Sequence, residues 1–255
     1  PVPYDGARRP GHVGQADRRV AAAPWAQARL RIAEEDNSMA CAQCQGIEGF
    51  FNRRTAERNL RSYRKRGPDR TTRLLIGALE AEGVVDRTLL DIGGGIGAIQ
   101  CELLKAGAAR ATDVDASSAY LTAAHDEAER QGLADRVEYR MGNFIDVAPE
   151  LASADIVTLD RVVCCYHDPR SLVGLSAAKT TRLYGLVYPR DTWLSHVFIA
   201  AANTVLRLRG SPFRVFVHPT AAIDGFARGT GLQPRYQRNA GVWQVVVYAR
   251  PSTDN

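Results

Sequence analysis

Hydrogen-bond acceptors stand at the ends of several apolar runs in this sequence of 255 residues. Asp91, Asp115 and Asp160 each close such a run, and Asn143 and Phe144 follow another. An acid placed 24 positions after Asp91 can accept hydrogen bonds from both hydroxyls of a ribose. An amide beside an aromatic ring suits an adenine. These types and spacings predict a site for an adenosine-containing ligand.

A glycine-rich turn follows Asp91 directly, with Gly93, Gly94, Gly95 and Gly97 inside five positions. Glycines let the backbone approach a ligand because no Cβ intervenes. The apolar-periodic segment after the turn predicts a helix, whose first N–H groups are unpaired and attract a polar or anionic group. The turn therefore predicts the place where the ligand meets the backbone.

A second group of reactive side chains follows Asp160, namely Cys164, Cys165, Tyr166 and His167. Tyr166 and His167 are the candidates for catalysis. Tyr166 is expected to line the active site, and His167 is expected to act as a base or to contact the substrate. Cys165 is a candidate substrate contact. The alternatives are structural: a histidine that pairs with Asp168, and cysteines that are small buried residues.

Strands and helices alternate around these residues, which predicts an α/β fold. The predicted strands are 89–92, 109–114, 137–141, 155–159 and 182–188, followed by 233–237 and 243–249, and 213–218 looks extended. The last two have no crossover helix between them and must pair antiparallel. The sequence thus predicts a seven-stranded, mostly parallel sheet with helices on both faces, in which ligands bind across the carboxyl ends of the strands.

The chain before the first strand divides into two parts. Residues 1–38 are rich in Pro and Gly and are predicted to be an irregular extension, with a short helix from Pro24 to about Glu35. Residues 39–83 are predicted to form a helical lid, with one helix over 47–66 and another ending at Gly83. Residues 84–255 form the predicted catalytic domain. The N-terminus lacks the apolar core of a signal peptide, so a cytoplasmic protein is expected.

At this point the sequence resembles the class I S-adenosylmethionine-dependent methyltransferases, over about residues 47–250. The resemblance rests on 91–97, on 114–121, on 142–144 and on the strand 155–160. It implies a Rossmann-like domain that binds S-adenosylmethionine and releases S-adenosylhomocysteine. The implied cofactor contacts are the turn at Asp91, Gly93 and Gly95, the ribose acid Asp115 with Ala116, the adenine contacts Asn143 and Phe144, and Asp160 with Arg161. The family more often has Asp at the position of Asn143.

A narrower resemblance is to bacterial proteins grouped with magnesium-protoporphyrin IX O-methyltransferases. It is carried by residues 63–72, 92–99, 159–166 and 184–190. Within a lid, Tyr63 and Arg64 are expected to reach the cofactor carboxylate. Tyr188 and Arg190 are candidates for a substrate acid, and Trp193 for a wall of the substrate pocket. The expected acceptor is a small molecule methylated at a carboxylate or hydroxyl, such as a tetrapyrrole or a natural product.

Three other functions share parts of this pattern. An NAD-dependent oxidoreductase has a similar glycine turn and ribose acid, but Ala98 stands where the stricter G-x-G-x-x-G motif has glycine. A non-catalytic protein could bind the same cofactor. An RNA methyltransferase is suggested by the basic front of the chain, where residues 1–73 hold 15 Lys and Arg against 8 Asp and Glu. A solvated helix face explains these charges equally well, so nucleic acid is not the expected partner.

The five cysteines do not predict a metal site or a disulfide framework. Cys41 and Cys44 have metal-ligand spacing, but a zinc site needs a second pair close to them. No metal is therefore expected. The chain contains no apolar run long enough to span a bilayer. A monomer or a homodimer is expected.

Overall fold

A computed structural model describes residues 42–251 and, within them, the side chains from residue 46 onward. The predicted extension 1–38, its helix at 24–35 and the pair Cys41 and Cys44 lie outside these descriptions. Within the described part, a seven-stranded sheet has the order β3-β2-β1-β4-β5-β7-β6. Its strands are β1 (Thr88–Ile92), β2 (Arg110–Asp115), β3 (Val137–Met141), β4 (Ala154–Asp160), β5 (Thr180–Pro189), β6 (Gln233–Ala240) and β7 (Trp243–Ala249).

The first five strands are parallel, and β7 is antiparallel to both β5 and β6. This confirms the predicted α/β class, the mostly parallel sheet and the antiparallel final pair. The central strand β4 is almost continuously apolar and buried, as expected for a parallel strand covered on both faces. The segment 213–218, which looks extended in the sequence, joins no strand. It is held instead by the backbone bond from Phe216 N–H to Cys164 O (2.8 Å).

Helices cover both faces of the sheet. They are α1 (Ala42–Phe50), α2 (Arg53–Arg66), α3 (Arg70–Ala81), α4 (Ala98–Lys105), α5 (Ser118–Arg130), α6 (Phe144–Val147), α7 (Pro169–Ala178), α8 (Trp193–Leu208) and α9 (Thr220–Arg228). One core joins the sheet to α6, α7 and α9, and the other joins it to α3, α4 and α5. The two cores follow from the alternation of side chains along each strand.

The N-terminal helices differ from their prediction in one respect. The single helix expected over 47–66 is divided into α1 and α2 at Phe51 and Asn52. Asn52 is the N-cap of α2, and its side chain accepts a hydrogen bond from the Thr55 N–H (3.2 Å). Asn favours this position because its oxygen satisfies an N–H that has no partner in the helix.

The part of the predicted lid that covers the strand ends is α1 and α2. The third helix, α3, lies in a core, where Leu75 and Leu79 are fully buried. Helix α2 instead lies on α5, where Asn59 donates to Tyr120 (2.7 Å), and its Tyr63 donates to Glu102 of α4 (2.6 Å). The domain boundaries at 38 and 83 remain predictions. No helix in the range 42–251 combines the length and the apolar character that crossing a bilayer demands.

Replacing Asn52 tests the break between α1 and α2. Asn52→Ala removes the cap, and we expect the free energy of unfolding to fall by about 1 kcal/mol. Urea unfolding followed by circular dichroism measures this change. Asn239→Ala, at an exposed position of β6, serves as the matched control and is expected to have no comparable effect. Equal stability of the two variants would show that the cap does not stabilise α2.

Candidate functional site

A cavity of about 480 Å³ lies at the carboxyl ends of the central strands. Its floor is the turn after β1 together with the ends of β2 and β4, and its cover includes α1, α2 and α8. This is the edge where parallel sheets bind ligands, and the volume is that of a small-molecule site. The predicted ligand site and this cavity therefore coincide in position.

The glycine turn lines the cavity because its backbone takes conformations that other residues avoid. Gly93 has a φ of 64°, and a Cβ added there would lie 2.5 Å from a Val162 methyl. Gly95 has a φ of 61°, and its N–H donates to Asp115 Oδ2 (3.1 Å). Only glycine satisfies the positive φ and the close approach together. The turn thus presents backbone rather than side chains to the cavity.

Asp115 lies where the sequence places the ribose acid. Its carboxylate also accepts from the Ser117 N–H (2.8 Å), so two backbone donors fix its orientation at the cavity edge. Burial raises the pKa of Asp115 to about 6, and the backbone hydrogen bonds oppose this rise. A carboxylate held in this way has lone pairs left for hydroxyl donors.

The carboxylate of Asp91 supports the turn from below. It accepts from Thr158 Oγ1 (2.7 Å) and from Gln100 Nε2 (3.3 Å), and it is almost fully buried. Burial raises its pKa to about 7. Asp113, its cross-strand neighbour, is also buried and lies under Gly94, and burial raises its pKa well above the usual range. The side chain of Asp91 therefore joins β1 to Thr158 on β4 and to Gln100 on α4, beneath the turn.

A cluster at the end of β4 joins the sheet to the start of α3. Arg161 lies 2.6 Å from Asp69 and 3.0 Å from Asp160, and Thr72 donates to Asp160 (2.5 Å). All four residues line the cavity. Arg161 has a φ of 62°, an uncommon value for a residue other than glycine and one that is often found at functional sites. Asp69 and Thr72 were not predicted as site residues, because they lie at the start of α3, far in the sequence from the strand ends that hold the predicted acids.

Tyr166 reaches the cavity and His167 does not. The Tyr166 hydroxyl donates to Asn143 Oδ1 (2.5 Å), while Asn143 Nδ2 donates to Asp146 (2.9 Å). His167 is exposed outside the cavity lining. A different histidine, His218, contacts the backbone of this loop, with its Nε2 2.8 Å from Tyr166 O. Burial lowers the pKa of His218, which fits a structural, neutral imidazole.

The remaining wall of the cavity is apolar. Aromatic rings meet there, with Phe51 5.5 Å from Phe213 and 5.6 Å from Tyr120 between ring centroids. The other apolar members come from α1, the loop after β4, α8 and the segments around 214 and 242; they are Ile47, Phe50, Cys164, Cys165, Pro189, Phe198, Ile199, Ala202, Val215, Val242 and Trp243. The sequence did not reveal Phe51, Phe213 or Trp243, since no motif marks them.

Eleven of the predicted site residues line one cavity. They are Tyr63, Asp91, Gly93, Gly95, Asp115, Ala116, Phe144, Asp160, Arg161, Cys165 and Tyr166. Their roles remain predictions, but the structure places them together. The others do not line it: Arg64, Asn143, His167, Tyr188, Arg190 and Trp193.

Long-range packing explains why four of these residues lie elsewhere. Arg64 pairs with the buried Glu127 on α5 (2.7 Å). Tyr188 is buried in the core on one face of the sheet, whereas its neighbour Val187 is buried in the core on the other face. Arg190 reaches the Gly241 carbonyl (3.4 Å), and Trp193 is exposed at the start of α8. These four residues therefore lie outside the cavity lining, and the cofactor contact of Arg64 and the substrate contacts of the other three stay predictions.

Comparisons with known proteins add an independent observation. The sequence family described as a methyltransferase domain matches residues 90–176. The chain is 35% identical over 91 residues to the ribosomal protein L11 methyltransferase of Escherichia coli O8 (strain IAI1), which covers 36% of this chain and 30% of that protein. The match to the protein of the same name from Aeromonas salmonicida is 29% identical and covers 49% and 47%. The chain spans from about a third to about half the length of these curated relatives.

Solved structures with the same fold cover more of the chain. The magnesium protoporphyrin IX methyltransferase from Synechocystis PCC 6803 with bound SAH has a TM-score of 0.64 and 16% identity, over 82% of this chain and all of that one. An O-methyltransferase family protein from Burkholderia thailandensis has a TM-score of 0.57 and 22% identity, over 72% and 57%. At these identities the likeness establishes the fold.

The buried acid Asp91 makes stability depend on pH. Its folded-state pKa is raised above the unfolded value, so it stabilises the fold while protonated, and this contribution is lost as the pH rises through about 7. The side chain of the Asp91→Asn variant stays neutral at every pH. Between pH 5 and 8 we expect the free energy of unfolding to fall less steeply in this variant than in the wild type, with a difference in slope of up to about 1.4 kcal/mol per pH unit. Urea unfolding at several pH values measures this slope. Glu150→Gln, at an exposed site, is the control, and a slope unchanged in Asp91→Asn would contradict the prediction.

Proposed function

We propose that this chain, which carries a methyltransferase domain at residues 90–176 on the class I methyltransferase fold, binds S-adenosylmethionine and methylates an oxygen of an apolar small molecule. The proposal rests on one observation, the division of the cavity into a polar half and an apolar half. One half consists of a glycine turn and fixed polar groups, and the other half is apolar. Such a division suits a polar cofactor and an apolar acceptor that meet between the two halves.

The cofactor half fits S-adenosylmethionine in its donor and acceptor chemistry. Asp115, already oriented by two backbone N–H groups, would accept hydrogen bonds from the ribose hydroxyls. Gly93 and Gly95 would receive the methionine part against bare backbone, where a Cβ would meet Val162 or Tyr120. The buried ring of Phe144 would pack against the adenine. Asn143 reaches the same region only through its bond to Tyr166.

When bound, S-adenosylmethionine supplies an electrophilic methyl group on a sulfonium. The residues of the chain have to orient the acceptor oxygen towards that methyl and exclude water. Tyr166 stands at the boundary of the two halves, with its hydroxyl hydrogen donated to Asn143. Its role is to position the reactants, because a phenol that donates its proton to a neutral amide is not a base.

The acceptor half favours an oxygen that is ionised before it binds. Its apolar wall offers the thiols of Cys164 and Cys165, and burial together with the Cys164 contact raises the pKa of Cys165 well above its usual value. A neutral thiol cannot accept the proton of an acceptor hydroxyl at pH 7. A carboxylate nucleophile needs no base, so a carboxylate on an apolar body, as in a tetrapyrrole or a comparable natural product, is the preferred acceptor.

The competing NAD-dependent function fits the sheet less well. The dinucleotide-binding fold has a sixth parallel strand, whereas here β7 is antiparallel and lies between β5 and β6. RNA methylation drew on the basic residues of α2. Of these, Arg64 pairs with Glu127 and Arg53 pairs with Glu57. The curated relatives are named as methyltransferases of a ribosomal protein. A protein substrate is therefore one of the outcomes that the turnover experiment tests.

Loss of the ribose acid gives a direct measure of the cofactor site. Asp115→Ala is expected to weaken binding of S-adenosylhomocysteine by about 1.5–3 kcal/mol, because hydrogen bonds to a charged group are lost. Isothermal titration measures the affinity, and Glu150→Ala is the matched exposed control. NAD titrated in parallel is expected to give no binding. Tight binding of NAD without a response to S-adenosylhomocysteine would overturn the proposal.

Turnover is tested with labelled S-adenosylmethionine and a cell extract. The expected result is label in an apolar, solvent-extractable product that mass spectrometry finds to be heavier by one methylene group. Mild alkali is expected to release the label, since methyl esters hydrolyse and methyl ethers do not. Label found in RNA or in protein would show that this macromolecule, and not a small molecule, is the methyl acceptor. Absence of transfer despite tight cofactor binding would identify a non-catalytic binding protein.

A further inference from the structure

The outer face of α8 carries large apolar side chains towards both of its ends. Six large apolar side chains of this helix are exposed: Trp193, Leu194, Val197, Phe198, Val205 and Leu208. The exposed fraction is 76% for Trp193, 57% for Val197 and 83% for Leu208. A helix on the surface of a globular protein normally places charged or polar residues there. We call these six residues the α8 face.

The inner side of α8 is already occupied. Ser195, Ile199 and Leu206 are buried. The Asn203 side chain accepts a hydrogen bond from the Val215 N–H (2.9 Å) and donates one to the Val215 carbonyl (2.8 Å). The helix is therefore fixed on the segment that walls the acceptor half of the cavity. The α8 face cannot turn inward without breaking these contacts, so its partner lies outside the described part of the chain.

The charges around the α8 face indicate which partner that is. Arg207 and Arg209 are exposed at the C-terminal end of the helix, and at 100° per residue they fall on opposite flanks of the apolar arc. The helix itself contains no acidic residue. A Trp- and Leu-rich face flanked by arginines is the pattern of a helix that lies in a membrane interface. Anionic headgroups would complement both arginines.

We propose that the α8 face binds the surface of a bilayer containing anionic lipids, with the helix axis in the membrane plane. Phe198 belongs both to this face and to the lining of the cavity, so the apolar surface is continuous from the exterior into the acceptor half. Binding to the membrane would place the mouth of the cavity against the lipid. This inference concerns binding alone and does not require that methyl transfer take place.

Vesicle flotation of the full chain tests the proposal without cofactor or acceptor. We expect the protein to float with vesicles of phosphatidylcholine and phosphatidylglycerol and much less with phosphatidylcholine alone. Val197→Glu is expected to abolish flotation, because a charge would enter the apolar interface. The matched control is Val85→Glu, which introduces the same change at a 63% exposed valine before β1 and is expected to float like the wild type. Leu208→Glu is a second variant in case Val197→Glu misfolds.

The arginines supply an independent readout. Arg207→Gln and Arg209→Gln are each expected to lower the partition coefficient on anionic vesicles about fivefold. Arg235→Gln, on the exposed strand β6, is the control. Failure of the wild type to float, or equal flotation of Val197→Glu, would overturn the proposal. A dimer in light scattering that Val197→Glu dissociates, without flotation, would assign the face to a second copy of the chain instead.

Discussion

The register of β1 against its two parallel neighbours, β2 and β4, determines where the buried polar groups beneath the cavity lie. Asp91 is level with Asp113 on β2 and with Thr158 on β4. Since side chains alternate along a strand, a shift by one residue would turn each of these groups to the opposite face. The turn after β1 stays attached to β2 as it leaves the sheet, through Gly93 N–H to Val114 O (2.7 Å) and Gly95 N–H to Asp115. The path of the turn therefore follows from the pairing of β1 with β2.

Burial of two acids beneath the turn favours their protonated forms. Asp91 and Asp113 are adjacent and buried, and burial raises the pKa of both. Two buried carboxylates would repel each other, whereas neutral acids cost much less to bury. Gln100 and Asp113 both lie directly under Gly94, where an added Cβ would be 2.4 Å from Gln100 Nε2 and 2.6 Å from Asp113 Oδ1. The triple glycine is thus required by what lies below the turn as much as by a ligand above it.

The sequence predicted most of the sheet, because its central strands are apolar runs with turn residues at both ends. It also predicted the polar half of the cavity, since Asp115 and the glycine turn are determined by local sequence and by position at a strand end. It did not indicate how Arg64 and Tyr188 pack. The first is drawn away by Glu127, 63 positions later in the chain, and the second faces the core because of the register of β5. Neither fact can be read from residues nearby.

The two halves of the cavity come from different parts of the chain, and this explains why the matched family covers mainly one of them. Most of the polar half, namely the glycine turn, Asp115 and the end of β4 at Asp160 and Arg161, lies within the matched residues 90–176. Much of the apolar half comes from α1, α8 and the segment around Phe213, all outside that match. A conserved fold can therefore keep its cofactor chemistry while these segments change the acceptor. Because α8 contributes to both the cavity wall and the exposed apolar face, a change in this one helix would alter the apolar half of the cavity and the outer surface together.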